Sequence, residues 1–242
     1  MKKQILFPIL MLAMIGCLAI APAQAQDTGK ISIFGGYSYA SNNFELTNNT
    51  YNCNYTYNCV DGTMGMHGYT LAVTYNANKN IGFEANITGH NGGADLYDYP
   101  ATSTNYGYAE GQKQDLYTFT FGPKFTLPVG NYSLFTHVLV GAMRAHIADA
   151  ATCTPPIGSS STCGTPVYYN ANAKGTGMAV KTGGGIDWNH GHMGVRILEV
   201  DFVHSMVPLA GNYSNSGGTV YPYNMTSGAN NFELSTGFTF NF

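Results

Sequence analysis

The sequence predicts an all-β fold: an eight-stranded antiparallel up-and-down transmembrane β-barrel with short periplasmic turns and long extracellular loops. Three observations carry this expectation. The last eleven residues alternate, with Phe232, Leu234, Phe238, Phe240 and Phe242 on one face and Glu233, Ser235, Gly237, Thr239 and Asn241 on the other. Strand side chains point to opposite faces with period two, so this ribbon is apolar on one side and polar on the other. Charged residues are only 10% of the chain, against about 25% in ordinary soluble proteins. A lipid-facing wall requires that deficit. Finally, the period-two segments are joined by connections that alternate short and long.

The N-terminus sets the compartment. Lys2 and Lys3 precede an apolar stretch from Ile5 to Ile20, followed by Ala23-Gln24-Ala25. A basic region, an apolar region and an A-x-A site make residues 1–25 a secretory signal peptide. Met14-Ile15-Gly16-Cys17 leaves lipoprotein processing at Cys17 as the rival. Residues 26–242 then form one barrel domain. After residue 25 no apolar run is long enough for a membrane helix, and a closed barrel is the other structure that satisfies every backbone group in lipid.

Eight segments alternate. The first, Lys30–Ala40, shows Ile31, Ile33, Tyr37 and Tyr39 on one face. His67–Ala77 sets Tyr69, Leu71, Val73 and Tyr75 against Gly68, Thr70, Ala72 and Thr74. Ile81–His90 sets Ile81, Phe83, Ala85 and Ile87 against Gly82, Glu84, Asn86 and Thr88. Lys113–Thr126 sets Tyr117, Phe119, Phe121 and Phe125 against Thr118, Thr120, Gly122 and Lys124. In Tyr132–Ile147 the preferred lipid face is Leu134, Val138, Val140 and Ala142, with a bulge allowed for. Gly175–Trp188 turns Met178, Val180, Ile186 and Trp188 outward and Lys181, Gly183, Gly185 and Asp187 inward. In Gly194–Met206 the residues Arg196, Glu199 and Asp201 share a face only if a bulge intervenes. The eighth segment is the terminal ribbon.

Long links are expected around 41–66, 91–112, 148–174 and 207–229, with turns of about five residues on the opposite end. The abundance of Tyr (18) and Phe (13) fits the aromatic girdles of such a barrel. A net charge of −3 gives no footprint for a nucleic-acid partner.

Several segments, taken in order, resemble the small OmpA-type outer-membrane β-barrel proteins. They are Phe34-Gly35-Gly36-Tyr37-Ser38-Tyr39, Thr118–Phe125, Phe135–Ala142, Gly183-Gly184-Gly185-Ile186-Asp187, Val195–Phe202 and the Phe-terminated last strand. The resemblance implies residence in the outer-membrane lipid and insertion by the assembly machinery that reads the Phe232–Phe242 strand. The chain ends at Phe242 without the peptidoglycan-binding domain of full-length OmpA, so a cell-wall tether is not expected.

Cys53, Cys59, Cys153 and Cys163 follow the leader. In an oxidising compartment an even count suggests disulfides. Three pairings are formally open, and Cys53–Cys59 with Cys153–Cys163 is favoured because each closes a short local loop. Eight strands leave an interior about wide enough for the barrel's own side chains. Glu84, Lys124, Lys181, Asp187, Arg196, Glu199, Asp201 and Glu233 are the candidates to fill it, as a salt-bridge network or as a narrow ion path.

No catalytic, cofactor or metal site is expected. Asn212-Tyr213-Ser214-Asn215 resembles the His-x-Ser-Asn segment of lipid A deacylases, but Asn212 cannot serve as the base. Omptin-type proteolysis would need ten strands and a longer chain. Gly183-Gly184-Gly185 is not a phosphate loop, since no Lys-Ser/Thr pair follows. His190 and His192 belong to a solvated turn. Recognition of an extracellular ligand would fall to the loops, with Tyr51, Tyr55, Tyr57, Tyr168 and Tyr169 as contact residues. The function expected is thus structural or surface-interacting. A narrow channel and a soluble lipocalin-like binder are the alternatives.

Overall fold

A computed structural model describes residues 30–45, 64–99, 101–102, 107–158, 170–214 and 220–242. The leader, Cys17, Cys53, Cys59, Cys163, Tyr51, Tyr55, Tyr57, Tyr168 and Tyr169 lie outside the described residues. Eight strands follow in order: β1 (Ile31–Glu45), β2 (Met64–Asn76), β3 (Ile81–Tyr99), β4 (Gly107–Val129), β5 (Tyr132–Thr154), β6 (Asn170–His190), β7 (Met193–Ser214) and β8 (Val220–Asn241). Each pairs antiparallel with the next, and β8 returns to β1, closing the barrel. Closure removes the free edges that an open sheet would expose. Cys153 falls on β5, opposite Tyr108.

The paired ladder runs from Ile33 through Val73, Ala85, Phe121, Val140, Val180, His204 and Asn230, and meets β1 again at Asn43. One circuit therefore climbs ten positions along β1, from 33 to 43. That stagger tilts the strands and sets a bore that side chains can fill.

Alternation decides which residues fill it. Phe119, Phe121, Phe238 and Phe240 are all on the outer surface, with Phe121 61% exposed. Thr118, Thr120, Ser235 and Thr239 are buried inside. On β7 a register break between Arg196 and Glu199 puts Ile197 and Leu198 both outside and returns Glu199 and Asp201 to the inside beside Arg196. This is the bulge that the charged residues of β7 require.

The bulge allowed for on β5 is absent. Its register against β4 and β6 is unshifted, and Leu134, Val138 and Val140 face outward, with Ala142 on the same face between Phe119 and Met178. The local irregularity belongs to β4. Pairing with β5 skips Gly122 and Pro123 and resumes at Lys124 without a shift, because proline has no N–H to give to the ladder.

Strands run further than the amphipathic pattern indicates. The structured parts of β3, β4, β5, β6 and β7 continue well into the stretches expected as long links, and the gaps between strands there are 46–63, 100–106, 155–169 and 215–219. At the opposite end the links are 77–80, 130–131 and 191–192, so the ends remain unequal. Asn78 Oδ1 accepts from the backbone N–H of Asn80 and Ile81, both at 2.9 Å, fixing the first short turn. The second short turn, expected at about five residues, contracts to Gly130 and Asn131, with Gly130 at φ 61°. Pro128 stays in β4 beyond the last pair with β3, where no partner needs its N–H.

Candidate functional site

The bore is filled in layers, and the layer nearest the short turns is built around Arg196. Its Nε donates to Asp187 Oδ1 at 2.8 Å, Nη2 to Asp187 Oδ2 at 3.2 Å and Nη1 to Glu199 Oε2 at 2.9 Å. Such a two-toothed guanidinium–carboxylate pairing fixes direction as well as charge. The guanidinium sits between the rings of Phe34 at 3.9 Å and Phe135 at 4.3 Å. Aromatic faces attract a cation electrostatically, so the two rings add to the carboxylates' hold. Below this layer a cavity of about 220 Å³ opens at the barrel mouth, with Lys124, Asp187 and Arg196 in its lining.

In the next layer Lys124 Nζ donates to Glu84 Oε2 at 2.9 Å, and Thr74 adds a bond to the same oxygen at 3.2 Å. Lys181 Nζ lies 2.6 Å from Glu233 Oε2 and 3.0 Å from Asp201 Oδ2. His137 stands between two acids, its Nδ1 3.2 Å from Glu84 Oε1 and its Nε2 2.9 Å from Asp201 Oδ1. All eight ionisable residues picked out as interior candidates point into the bore, and each is buried.

Five carboxylates there meet three permanent cations, which gives the unanticipated His137 its place. An imidazolium donates from both nitrogens, so it can bridge Glu84 and Asp201. The signal was available: once Leu134 and Val138 are set outward, the same alternation sends Phe135, His137 and Leu139 inward. Phe34 is inward by the same argument, beside Ile33 on β1.

Gly183 is where the network is most tightly fitted. A Cβ added there would stand 2.0 Å from Asp201 Oδ1 and 2.3 Å from the Val200 carbonyl oxygen. Gly183→Ala is expected to destabilise the barrel by about 1–3 kcal/mol through overpacking. Denaturant titration in vesicles checks this; an unchanged midpoint would show that Asp201 has room to shift.

Ligand atoms of Glu84, His137 and Glu199 lie within 4.8 Å of one another, close enough in principle to share a metal ion. Lys124 and Arg196 already hold the second oxygen of each glutamate at 2.9 Å. An added cation would be repelled by both, and the arrangement fits an ion-pair lattice better. Ser38, His90 and Glu233 form a second notable group. Ser38 Oγ is 2.9 Å from His90 Nε2, and His90 Nδ1 is 3.7 Å from Glu233 Oε1. The order is that of a nucleophile, base and acid, but Ser38 is fully enclosed and also accepts from Ser235 Oγ at 3.1 Å.

Above the ion pairs the filling changes character. Met66, Leu116, Met143, Ala145, Ile147, Val203, Val207 and Leu209 are buried together. The eight charged candidates therefore fill only part of the bore, and the apolar layer above them was not anticipated. Aliphatic side chains fill a closed space at crystal-like density without needing partners. Charged groups need partners, which the layer below supplies.

The remaining histidines are dispersed. His67 lies outside against Tyr37 and Tyr39, His190 stacks on Trp188 and His192 Nδ1 meets the Asn241 carbonyl at 3.1 Å. Asn212 is exposed on β7, opposite Asn172 and Pro222.

No known family profile and no curated protein matches the chain's sequence. Solved structures are similar in fold. The outer-membrane protease OmpT of Escherichia coli aligns with a TM-score of 0.53 at 7% identity, over 91% of this chain and 99% of that one. The outer-membrane protein OprG of Pseudomonas aeruginosa aligns at 0.48 and 11%, over 91% and 99%. Ail, the attachment invasion locus protein of Yersinia pestis, aligns at 0.46 and 14%, over 88% and 99%. The fold is that of outer-membrane β-barrels. At these identities the likeness concerns the fold and not the chemistry.

Proposed function

We propose that the protein is a barrel of the OmpA type, resident in the bacterial outer membrane, with a structural or surface-contact role and no catalysis. The observation that supports it most is polarity turned inside out. Ile33, Tyr69, Leu71, Val73, Phe83, Phe119, Phe121, Val140, Leu198, Val200, Leu234 and Phe238 cover the outside, while glutamates, lysines and arginine fill the centre. A soluble lipocalin-type binder would need the reverse. In this reading the leader is removed on export, the Phe232–Phe242 strand is presented to the assembly machinery, and any extracellular ligand meets the loops carrying Tyr51, Tyr55, Tyr57, Tyr168 and Tyr169. Disulfides among Cys53, Cys59, Cys153 and Cys163 would hold those loops in shape. Burial of Ser38 supports the absence of hydrolysis, since a substrate has no approach to its hydroxyl.

A narrow channel for ions or small solutes is the second reading, favoured by the cavity that reaches Lys124 and Arg196. Against it stands the apolar layer, in which Met66, Leu116, Met143, Val203 and Val207 are packed together and fill most of the bore above the ion pairs. Expressed with its leader in a Gram-negative host, the protein is expected in the membrane fraction, released only by detergent and with heat-modifiable gel mobility. Recovery in the soluble periplasm would overturn the membrane assignment. In planar bilayers it is expected to be silent. Discrete conductance steps that change with Glu84→Gln or Arg196→Gln would establish the channel instead.

A further inference from the structure

On the outer wall, toward the longer links, a row of polar side chains crosses five adjacent strands. Lys174 on β6 is opposite His146 on β5, which faces Asp115 on β4, then Asn91 on β3 and His67 on β2. The three middle members of the row are bonded together. Asn91 Nδ2 donates to Asp115 Oδ1 at 2.6 Å, and Asp115 Oδ2 is 3.3 Å from His146 Nδ1, so the ring is held with its other nitrogen toward Asn172.

Three permanent cations stand around that ring. Lys174 is directly opposite it, Arg144 lies two residues earlier on the same face of β5, and Lys113 is diagonal to it across from Ala148. Directly opposed side chains are about 5 Å apart at Cβ and diagonal ones about 7–8 Å, so one compact anion can touch several of them. Lys113, Arg144 and Lys174 are exposed, and no carboxylate among the described residues pairs with any of them.

The wall is also recessed here. A groove of about 390 Å³ is lined by Asn91, Gly93, Lys113, Asp115, His146 and Ala148. Gly93 and Ala148 flank Lys113 on the ladder, and their small size opens the recess. Immediately toward the short turns the surface becomes apolar, with Phe119 opposite Ala142 and Ala142 opposite Met178.

We propose that this groove binds the phosphate-bearing headgroup of a membrane lipid in the leaflet nearest the longer links. Lys113, Arg144 and Lys174 supply the charge, and Arg144 offers a planar fork for two phosphate oxygens. His146, positioned by Asp115, supplies a directed contact. The acyl chains then lie against the aromatic and aliphatic wall below, which makes a lipid and not a soluble phosphate the fitting occupant. The inference rests on the membrane reading above.

The test uses the full mature chain folded into phosphatidylcholine vesicles containing a minor fraction of phosphatidic acid. Lipid retained on the extracted protein is counted by native mass spectrometry. Phosphatidic acid is expected to be enriched over the bulk, with each of Lys113→Gln, Arg144→Gln and Lys174→Gln lowering the enrichment about fivefold. A Lys30→Gln/Lys79→Gln control, which removes charge from the opposite end, is expected to leave it unchanged. Enrichment that survives the triple substitution, or that inorganic phosphate abolishes at equal concentration, overturns the proposal. Failure of the chain to insert and show heat-modifiable mobility would instead refute the membrane reading and remove the proposal with it.

Discussion

Arg196→Met is expected to destabilise the barrel by about 3–5 kcal/mol, the cost of leaving a buried partner charge uncompensated. The native guanidinium is 1% exposed and makes three hydrogen bonds to Asp187 and Glu199. Methionine fills much of the volume between Phe34 and Phe135 but supplies no charge. Two carboxylates are then left facing each other across a bore closed by the apolar layer. Unfolding in vesicles by urea reads the loss directly as a lower midpoint. The same logic predicts a rescue. Adding Asp187→Asn and Glu199→Gln removes the stranded charges and is expected to recover most of the stability, because a whole ion cluster replaced by neutral groups is often tolerated. A single substitution as mild as an average surface change would mean that water reaches the bore.

Phe121→Arg is expected to cost about 2–4 kcal/mol in a bilayer, the penalty for arginine on the lipid face near mid-depth. Phe121 is more exposed than Phe119 and Phe125 on the same strand and pairs with Ala85 and Val140, both on the outer wall. In a water-soluble protein an exposed Phe→Arg change away from special features would fall within about 0.5 kcal/mol either way. The substitution therefore separates the two environments by its size. Folding yield and urea midpoint in vesicles are the readouts. Arg144, four residues beyond Phe121's partner Val140 on the same wall, shows where the sequence itself tolerates the charge.

Much of this was legible because one face meets hydrocarbon. Wherever a strand crosses the apolar band, residues such as Phe119 and Thr118 differ sharply and alternation gives both the strand and its sidedness. The charged residues of β7 went further: Arg196, Glu199 and Asp201 demanded a bulge, and one lies between Arg196 and Glu199. Legibility fails in two situations, each with a physical cause. Beyond the band the contrast fades: Val207 and Leu209 fill the core, but Pro208 and Ala210 on the other face are hardly polar, so Val207–Ser214, like Gly107–Gln112, shows no apolar–polar alternation and reads as a link although both stretches pair throughout. On β5 the contrast vanishes as well. Val138 and Val140 face out while Leu139 and Met143 fill the core, leaving apolar residues on both sides. His137 and the apolar layer were hidden there. The lipid-facing groove depends on pairing across β3 to β6, which no local pattern reveals.

Whether the aromatic face of the barrel points into hydrocarbon is directly measurable. In a Trp188→Phe background, tryptophan is placed singly at positions 119, 121 and 238 and the protein is folded into vesicles whose acyl chains carry bromine. Strong quenching at all three positions is predicted, because their rings lie in hydrocarbon. Fluorescence unaffected by brominated chains at these positions would put the rings out of contact with lipid and contradict the account.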